Sequence, residues 1–413
     1  MADEWIVSID IGSSKIAVVV AEEKLDRLHV IGYTQANSSG VEKGLITNPD
    51  LVSSVIKKII NKVGESCDKN LDNSNASINI SDNRLTVTNH SSRVLTKGSG
   101  KITQKKMSEA IETSSAVLGI ANNEVLHSVV NNFIINEDTP DSLITNQPIG
   151  MQARTIRANM HIVSVAERNV DSVIQSVSNS GLGVAQVVLD SMAISEAYIT
   201  EEEKEDGVCL VDIGAGVTNF SIFKNGGITH SAVIQLGGEN ITKDIVYAFG
   251  TSFEEAEDLK IKHGHVKNNL LTEEKLIQFS QGPNSQECYL SNYDLIEAIK
   301  KSYLKLFASV KKDINKQAKC RLKAGFVLTG GASKIPGCAE FFMKSSRTKT
   351  KLGRVNEQKI TGNVNMISDS TYASALGLLL YEADESHLEV VQSQENLGIL
   401  SRIKGKLKLV GEF

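Results

Sequence analysis

The chain has 413 residues, 41% hydrophobic and 23% charged, with a net charge of -5 from 44 basic and 49 acidic side chains. This composition excludes a disordered, collagen-like or polytopic membrane chain, and the length predicts two or three domains. With no basic excess to neutralise phosphates, nucleic acid is not an expected partner.

IVSIDIG (6–12) reads as a strand entering a glycine turn, and KIAVVVAE (15–22) and LHVIGYTQ (28–35) continue it as a meander. Residues 48–67 carry Leu51, Val55, Ile59 and Val63 at helical spacing, with Asn48 as cap and Pro49 in the first turn. ASINIS (76–81) is a further strand. Residues 84–162 then interrupt the pattern with strand-like 84–89, a helix around 106–119, and strand-like 124–136 and 160–166, which predicts an inserted α+β unit. A helix (172–182) ending at Gly181, a strand (184–190) and a helix (192–200) follow, and the acidic run EEEKED (201–206) reads as a solvated linker.

GVCLVDIGAG (207–216) then repeats the opening. Strands over 218–226 and 228–238, joined by a hairpin turn at Asn225-Gly226, and a helix over 239–250 complete the repeat. The two DIG aspartates stand 202 positions apart, and the order strand, DIG turn, strand, strand, helix predicts a duplicated five-stranded α/β domain. FVLTGGASKIPG (326–337) is a strand, a glycine turn and a helix start, 372–383 is a late helix, and 383–396 is polar and linker-like.

The chemistry concentrates in the turns. DIGSSK (10–15) ends an apolar strand with Asp10, then offers Gly12 for close backbone approach to phosphate, Ser13 and Ser14 as hydroxyl donors, and Lys15 as a cation. DIGAGVT (212–218) repeats this with Asp212, Gly214 and Gly216. Two facing turns of this kind can clamp phosphates, and their aspartates suit a hydrated magnesium ion. The paired glycines of LTGGASKIPG (328–337) allow close approach to a base or ribose. Neither a P-loop nor a Rossmann glycine pattern is present. The five cysteines are widely spaced, which argues against a disulfide framework or zinc site. An acidic N-terminus and the lack of about 18 consecutive apolar residues predict a cytoplasmic chain.

The last residues differ from the body. Leu400, Ile403, Leu407 and Val410 follow helical spacing, and Arg402, Lys404, Lys406 and Lys408 flank them. A basic amphipathic segment behind a polar linker suits an anionic membrane surface. A helix packed on the protein's own core and a helix held by a partner are the alternatives.

The two DIG turns with TGG resemble the actin, Hsp70 and hexokinase superfamily. DIVYAFGT (244–251), AEDLKIKHG (256–264), VLHSVVNNFIIN (125–136), GMQARTIRANMHIV (150–163) and YASALGLLLY (372–381) are similar, in order, to segments of the FtsA family of bacterial cell-division proteins. The resemblance runs over nearly the whole chain. It implies an actin-like ATPase fold: two duplicated RNase H-like halves around a nucleotide cleft. Subdomain 1A would take 1–83 and 163–200, an FtsA-type 1C insert 84–162, subdomain 2A 201–245 and 310–385, and subdomain 2B 246–309. A linker (386–396) and a membrane-targeting helix (397–413) would follow.

It further implies that ATP and Mg2+ are held by Asp10, Gly12, Ser13, Ser14 and Lys15, by Asp212, Gly214, Ala215, Gly216, Val217 and Thr218, by Gly238, by Glu257 and Lys260, and by Gly330, Gly331, Ala332 and Lys334. The metal would meet Asp10 and Asp212 through water. No catalytic residue is singled out. Many family members carry an all-glycine second turn ending in Asp, where this chain has Ala215, Val217 and Asn219, so binding with weak or no hydrolysis is expected. The implied role is a filament-forming tether on the cytoplasmic side of the membrane at the division site. The implied partners are the FtsZ tail on subdomain 2B, in or just beyond which Lys300, Lys301, Lys305, Lys311 and Lys312 lie, other division proteins on 1C, and further copies of the chain. A small-molecule kinase of the hexokinase or glycerol-kinase branch is the alternative. An Hsp70-type chaperone is disfavoured, since only about thirty residues follow Glu382.

Overall fold

The computed structural model describes residues 5–25, 27–96, 100–115, 122–267, 273–281, 287–317 and 322–383. In chain order these form β1 (Trp5–Ile11), β2 (Lys15–Lys24), β3 (Arg27–Asn37), β4 (Val41–Glu42), β5 (Leu45–Ile46), α1 (Pro49–Cys67), β6 (Asn75–Ile80) and β7 (Thr86–Leu95). Next come α2 (Gln104–Ser115), β8 (Asn123–Ile135), β9 (Leu143–Thr145), β10 (Thr155–Ala166), α3 (Glu167–Ser178), β11 (Gly183–Leu189), α4 (Asp190–Tyr198) and α5 (Glu201–Asp206). The second half contains β12 (Val208–Ile213), β13 (Thr218–Lys224), β14 (Gly227–Ile234), α6 (Gly238–Phe249), α7 (Phe253–His263), β15 (Leu276–Ser280), β16 (Glu287–Ser291) and α8 (Asn292–Gln317). It closes with β17 (Gly325–Thr329), α9 (Cys338–Ser346), β18 (Thr350–Leu352), β19 (Ile360–Thr361), α10 (Val364–Ile367) and α11 (Ala373–Ala383).

The duplication expected from the two DIG turns is visible in the sheets, although the first has six strands rather than five because β19 pairs with β3. One runs β11-β6-β1-β2-β3-β19 and the other β14-β13-β12-β17-β18. In each, the first strand pairs antiparallel with the second and parallel with the fourth. Both faces of each sheet are covered, so the strands are apolar on both sides. Along β2, Ile16, Val18 and Val20 point to one core and Ala17, Val19 and Ala21 to another. Helices α1 and α3 cover the outer face of the first sheet, and α6, α8 and α9 that of the second. Helices α4 and α11 fill the middle layer, in a core built from both halves. Gly377 lets them cross closely, since a Cβ there would collide with the Ala193 carbonyl.

Strands β7, β10, β8 and β9 form a separate antiparallel sheet with α2 against it. This sheet docks on β14, the edge strand of the second half. The Asn131 carboxamide accepts from the Ile228 amide (2.9 Å) and donates to the Ile228 carbonyl (2.7 Å), as a neighbouring strand's peptides would. Asn89 donates to the Thr229 carbonyl at 2.8 Å.

Some elements differ from expectation. The acidic run 201–206 is helical: Thr200 and Glu203 form a capping box, and buried Lys204 pairs with Glu196 (3.1 Å) and Glu201 (2.9 Å). Asn48 does cap α1, but the buried stripe is Val52, Ile56, Ile59, Ile60 and Val63, and Leu51 is 46% exposed. The helix expected from 172 begins at Glu167 and ends at Ser178. The hairpin turn at Asn225-Gly226 stands, with φ of 52° and 75°. The linker from 386 and the helix over 397–413 lie outside the described residues.

Candidate functional site

The two DIG turns are built alike. The Gly12 amide donates to the Lys15 carbonyl at 3.0 Å, and the Gly214 amide to the Val217 carbonyl at 3.0 Å. Each turn closes a hairpin that carries its aspartate one residue before the last strand position. Asp10 lies opposite Ala17 and Asp212 opposite Asn219.

Between the turns lies a buried acidic cluster. Asn79, on β6, donates to Asp10 Oδ1 at 2.8 Å and to Asp190 Oδ1 at 3.1 Å. Asn219, on β13, donates to Asp190 Oδ2 at 2.8 Å and sits 3.5 Å from Asp212 Oδ2. Asp190 opens α4 and also takes a hydrogen bond from Ser374 on α11. Lys15 reaches Asp10 Oδ2 at 2.9 Å. Burial, and then the neighbouring Asp10, push the Asp190 carboxyl up to about 6. Burial, then Asp190 and Asp10, hold Asp212 well above the ordinary carboxylate range.

These residues fit a hydrated divalent cation. When all three buried carboxylates are ionised they face one ammonium, an excess of two negative charges that such an ion would cancel. Two buried oxygens beside Asp212, Asn219 Oδ1 and Thr329 Oγ1, have no hydrogen-bond partner. Among the described residues no three acidic, His or Cys side chains converge closely enough to hold an ion directly. Asp10 and Asp212 would therefore hold Mg2+ through its waters, as that ion commonly allows. The bound ion would supply charge neutralisation for a polyphosphate.

The remaining expected site residues surround this cluster. A Cβ at Gly216 would collide with Ser13 Oγ, so the two turns meet at their tips. Ser14 follows in the same turn and is exposed, its carbonyl accepting from the Ser38 amide at 2.9 Å. The amides of Gly238 and Glu239, opening α6, donate to the carbonyls of Gly214 and Ala215 at 2.9 Å each. Lys260 Nζ bonds the Gly238 carbonyl (3.1 Å), Thr242 (2.8 Å) and Glu257 (2.7 Å), so the AEDLK pair stands beside Gly238. Ala332 closes this corner, 3.3 Å from where a Gly238 Cβ would lie. Gly330 has φ 88°, and a Cβ there would lie 2.5 Å from both Asp212 Oδ1 and the Ile213 carbonyl. Gly331 opens a 3-10 turn that ends at Lys334, whose ammonium pairs with Asp369 at 2.9 Å. Val217 and Thr218 are buried, and the Thr218 hydroxyl bonds the Leu236 carbonyl at 2.7 Å, so their side chains serve the turn itself. Leu400, Arg402, Ile403, Lys404, Lys406, Leu407, Lys408 and Val410 lie outside the described residues.

Sequence reasoning missed Asn79 and Asp190 as members of this cluster. Asp190 carried a usable signal, being a third aspartate at the end of an apolar strand, VAQVVLD. Asn219 stands where the family pattern has an acid, and it is the donor that separates Asp190 from Asp212.

Comparison with known proteins agrees with this fold. The family model described as "Cell division protein FtsA" matches residues 209–377, and that described as "SHS2 domain inserted in FTSA" matches 82–164. The cell division protein FtsA of Neisseria meningitidis is 30% identical over 378 residues, covering 91% of this chain and 89% of that protein. That of Buchnera aphidicola is 29% identical over 394 residues, covering 93% and 92%. Among solved structures, a PilM-PilN type IV pilus biogenesis complex aligns with TM-score 0.62 at 15% identity, covering 92% of this chain and 98% of that one. MreB5 of Spiroplasma citri bound to ADP aligns with TM-score 0.57 at 12% identity, covering 94% and 99%. These structural neighbours share the actin-like ATPase fold. With its paired sheets, its inserted third sheet and these relatives, the chain belongs to the FtsA family of cell division proteins.

Proposed function

We propose that the chain binds ATP with Mg2+, polymerises, and tethers FtsZ filaments to the cytoplasmic face of the membrane at the division site, where it helps to recruit other division proteins. The observation that carries the nucleotide part is the acidic cluster of Asp10, Asp190 and Asp212, shared by both halves and bordered by three glycine turns. The basic amphipathic segment from Leu397 supports the membrane part.

A cavity of about 450 Å3 between α6 and α8 supports a peptide partner. It is lined by Asp244, Tyr247, Phe249, Glu297, Lys301 and Lys305, and Tyr247 is 85% exposed. A lining of aromatic and charged side chains suits a short amphipathic segment, here the FtsZ C-terminal tail. The inserted sheet of β7 to β10 is the surface we assign to other division proteins. Membership of the FtsA family removes the ground for the small-molecule kinase reading.

Sedimentation with anionic vesicles tests the tether. The full chain with MgATP is expected in the pellet and a chain ending at Gln394 in the supernatant. Ile403→Glu, which puts a charge in the apolar stripe, is expected to release the protein. If the full chain stays in the supernatant, the tether reading fails. The cleft is tested separately, since Asp212→Ala should weaken MgATP binding, and unchanged affinity would remove that role.

A further inference from the structure

We infer that Lys43, at the tip of the β4–β5 hairpin, binds the terminal phosphate of the nucleotide and makes the site prefer a triphosphate over a diphosphate. This rests on the nucleotide reading above and adds to it a residue outside the three glycine turns. Val41 pairs with Ile46 and Glu42 with Leu45, which leaves Lys43-Gly44 as a two-residue turn. Both residues have positive φ, 47° and 76°. Such a turn favours Asn or Asp before Gly, and a lysine in the left-handed region carries a conformational cost. Strain of this kind, held in place by surrounding contacts, often marks a functional position.

Those contacts are with both glycine turns. The Gly44 amide donates to Ser13 Oγ at 2.9 Å, which leaves that hydroxyl's own proton free for an acceptor. A Cβ at Gly44 would lie 3.4 Å from Val217 Cγ1, and a Cβ at Gly216 would lie 3.0 Å from Lys43 Cα. The hairpin belongs to the first half, while Gly216 and Val217 belong to the second. The second turn also has a direction. Its Gly214 end meets Gly238 beside Ala332 and Lys260, where a nucleoside would sit, and its Gly216 end meets Ser13 and Lys43. A polyphosphate laid along that turn therefore ends at the hairpin tip.

Charge points the same way. Lys15 is paired with Asp10, Lys260 with Glu257 and Lys334 with Asp369. Lys43 is exposed and has no carboxylate partner among the described residues. A lysine ammonium is a mobile point charge suited to a phosphate oxygen. Because its backbone touches the second-half turn, a phosphate held there would also join the two halves.

The test compares Mg2+-dependent ATP and ADP dissociation constants, by calorimetry, for the full chain and for Lys43→Asn and Lys43→Arg. Asparagine suits the turn better than lysine, so Lys43→Asn should keep or raise the melting temperature, and any loss of binding cannot be put down to misfolding. ATP affinity should fall about tenfold in Lys43→Asn, with ADP affinity within about twofold of wild type, and Lys43→Arg should retain the preference. Equal ATP affinity in Lys43→Asn and wild type, or an equal loss for both nucleotides, overturns the inference alone. A wild-type chain that binds neither nucleotide overturns the nucleotide reading with it.

Discussion

Asn79 and Asn219 donate to opposite oxygens of one carboxylate, that of Asp190, at 3.1 and 2.8 Å, and they come from different halves of the molecule. Each amide nitrogen also faces the strand-end aspartate of its own half, Asp10 or Asp212. Neutral donors therefore separate three buried acids that would otherwise repel, and Asp190, at the start of the middle-layer helix α4, ties the two halves together. The symmetry is imperfect in an informative way. Asn79 stands on the parallel neighbour of its strand, where the second half has Thr329, and Asn219 stands on the antiparallel neighbour, where the first half has Ala17.

Asn219→Asp should expose this arrangement. It replaces a donor with a fourth buried carboxylate, so without metal it should destabilise the fold by roughly 1–3 kcal/mol. Added Mg2+ should recover part of that loss. Thermal melts in EDTA and in Mg2+ read both effects, and a melt in EDTA identical to wild type would show that the carboxamide does not hold the acids apart.

Gly330 and Gly331 are neighbours with different duties. A methyl on Gly330 would need a left-handed backbone and would press on the Asp212 carboxylate and a backbone carbonyl. Gly331→Ala meets only the Thr371 methyl at 3.4 Å. Urea denaturation should show a loss of roughly 2 kcal/mol or more for Gly330→Ala, and a change within about 0.5 kcal/mol for Gly331→Ala. Similar losses for both would mean that the TGG turn is not fixed by contact with Asp212.

The duplicated halves were legible because local rules enforce them: an apolar strand, an aspartate and a glycine turn read the same way twice. Asp190 carried a signal at the end of VAQVVLD, but Asn79 carried none, and their pairing arises only where α4 and β6 meet. The acidic run 201–206 misled through composition, although Thr200 and Glu203 carried the capping signal. Leu51 misled because two adjacent apolar positions fit the same periodicity, and only packing chooses between the faces. The docking of β7, β8 and β10 on β14 rests on Asn89 and Asn131, polar residues in strands that hydrophobic patterning passes over.

His161 extends that dock toward the cleft and gives it a pH dependence. The Asn89 amide nitrogen is spent on the Thr229 carbonyl, so its oxygen accepts from His161 Nδ1 at 2.8 Å. His161 Nε2 must then accept from Ser231 at 3.3 Å, and hydroxyl contacts continue through Ser221 (3.1 Å) to Ser191 (2.6 Å), beside Asp190. This ring is fully buried, and burial, followed by nearby His230, pushes its pKa down from 6.5 to about 4. The unfolded chain therefore takes up this proton at higher pH than the folded chain does. The stability that neutral His161 confers is present above pH 6.5 and is lost as pH falls toward 4. Glu382 acts in the opposite direction: burial pushes it up to about 7, so its contribution is lost as pH rises through that value. A comparison of wild type with His161→Asn cancels Glu382 and every other common group. Urea melts should show wild type losing about 2 to 3 kcal/mol relative to His161→Asn between pH values of about 7 and 4.5. A difference that stays constant over that range would mean that His161 is not held neutral between Asn89 and Ser231.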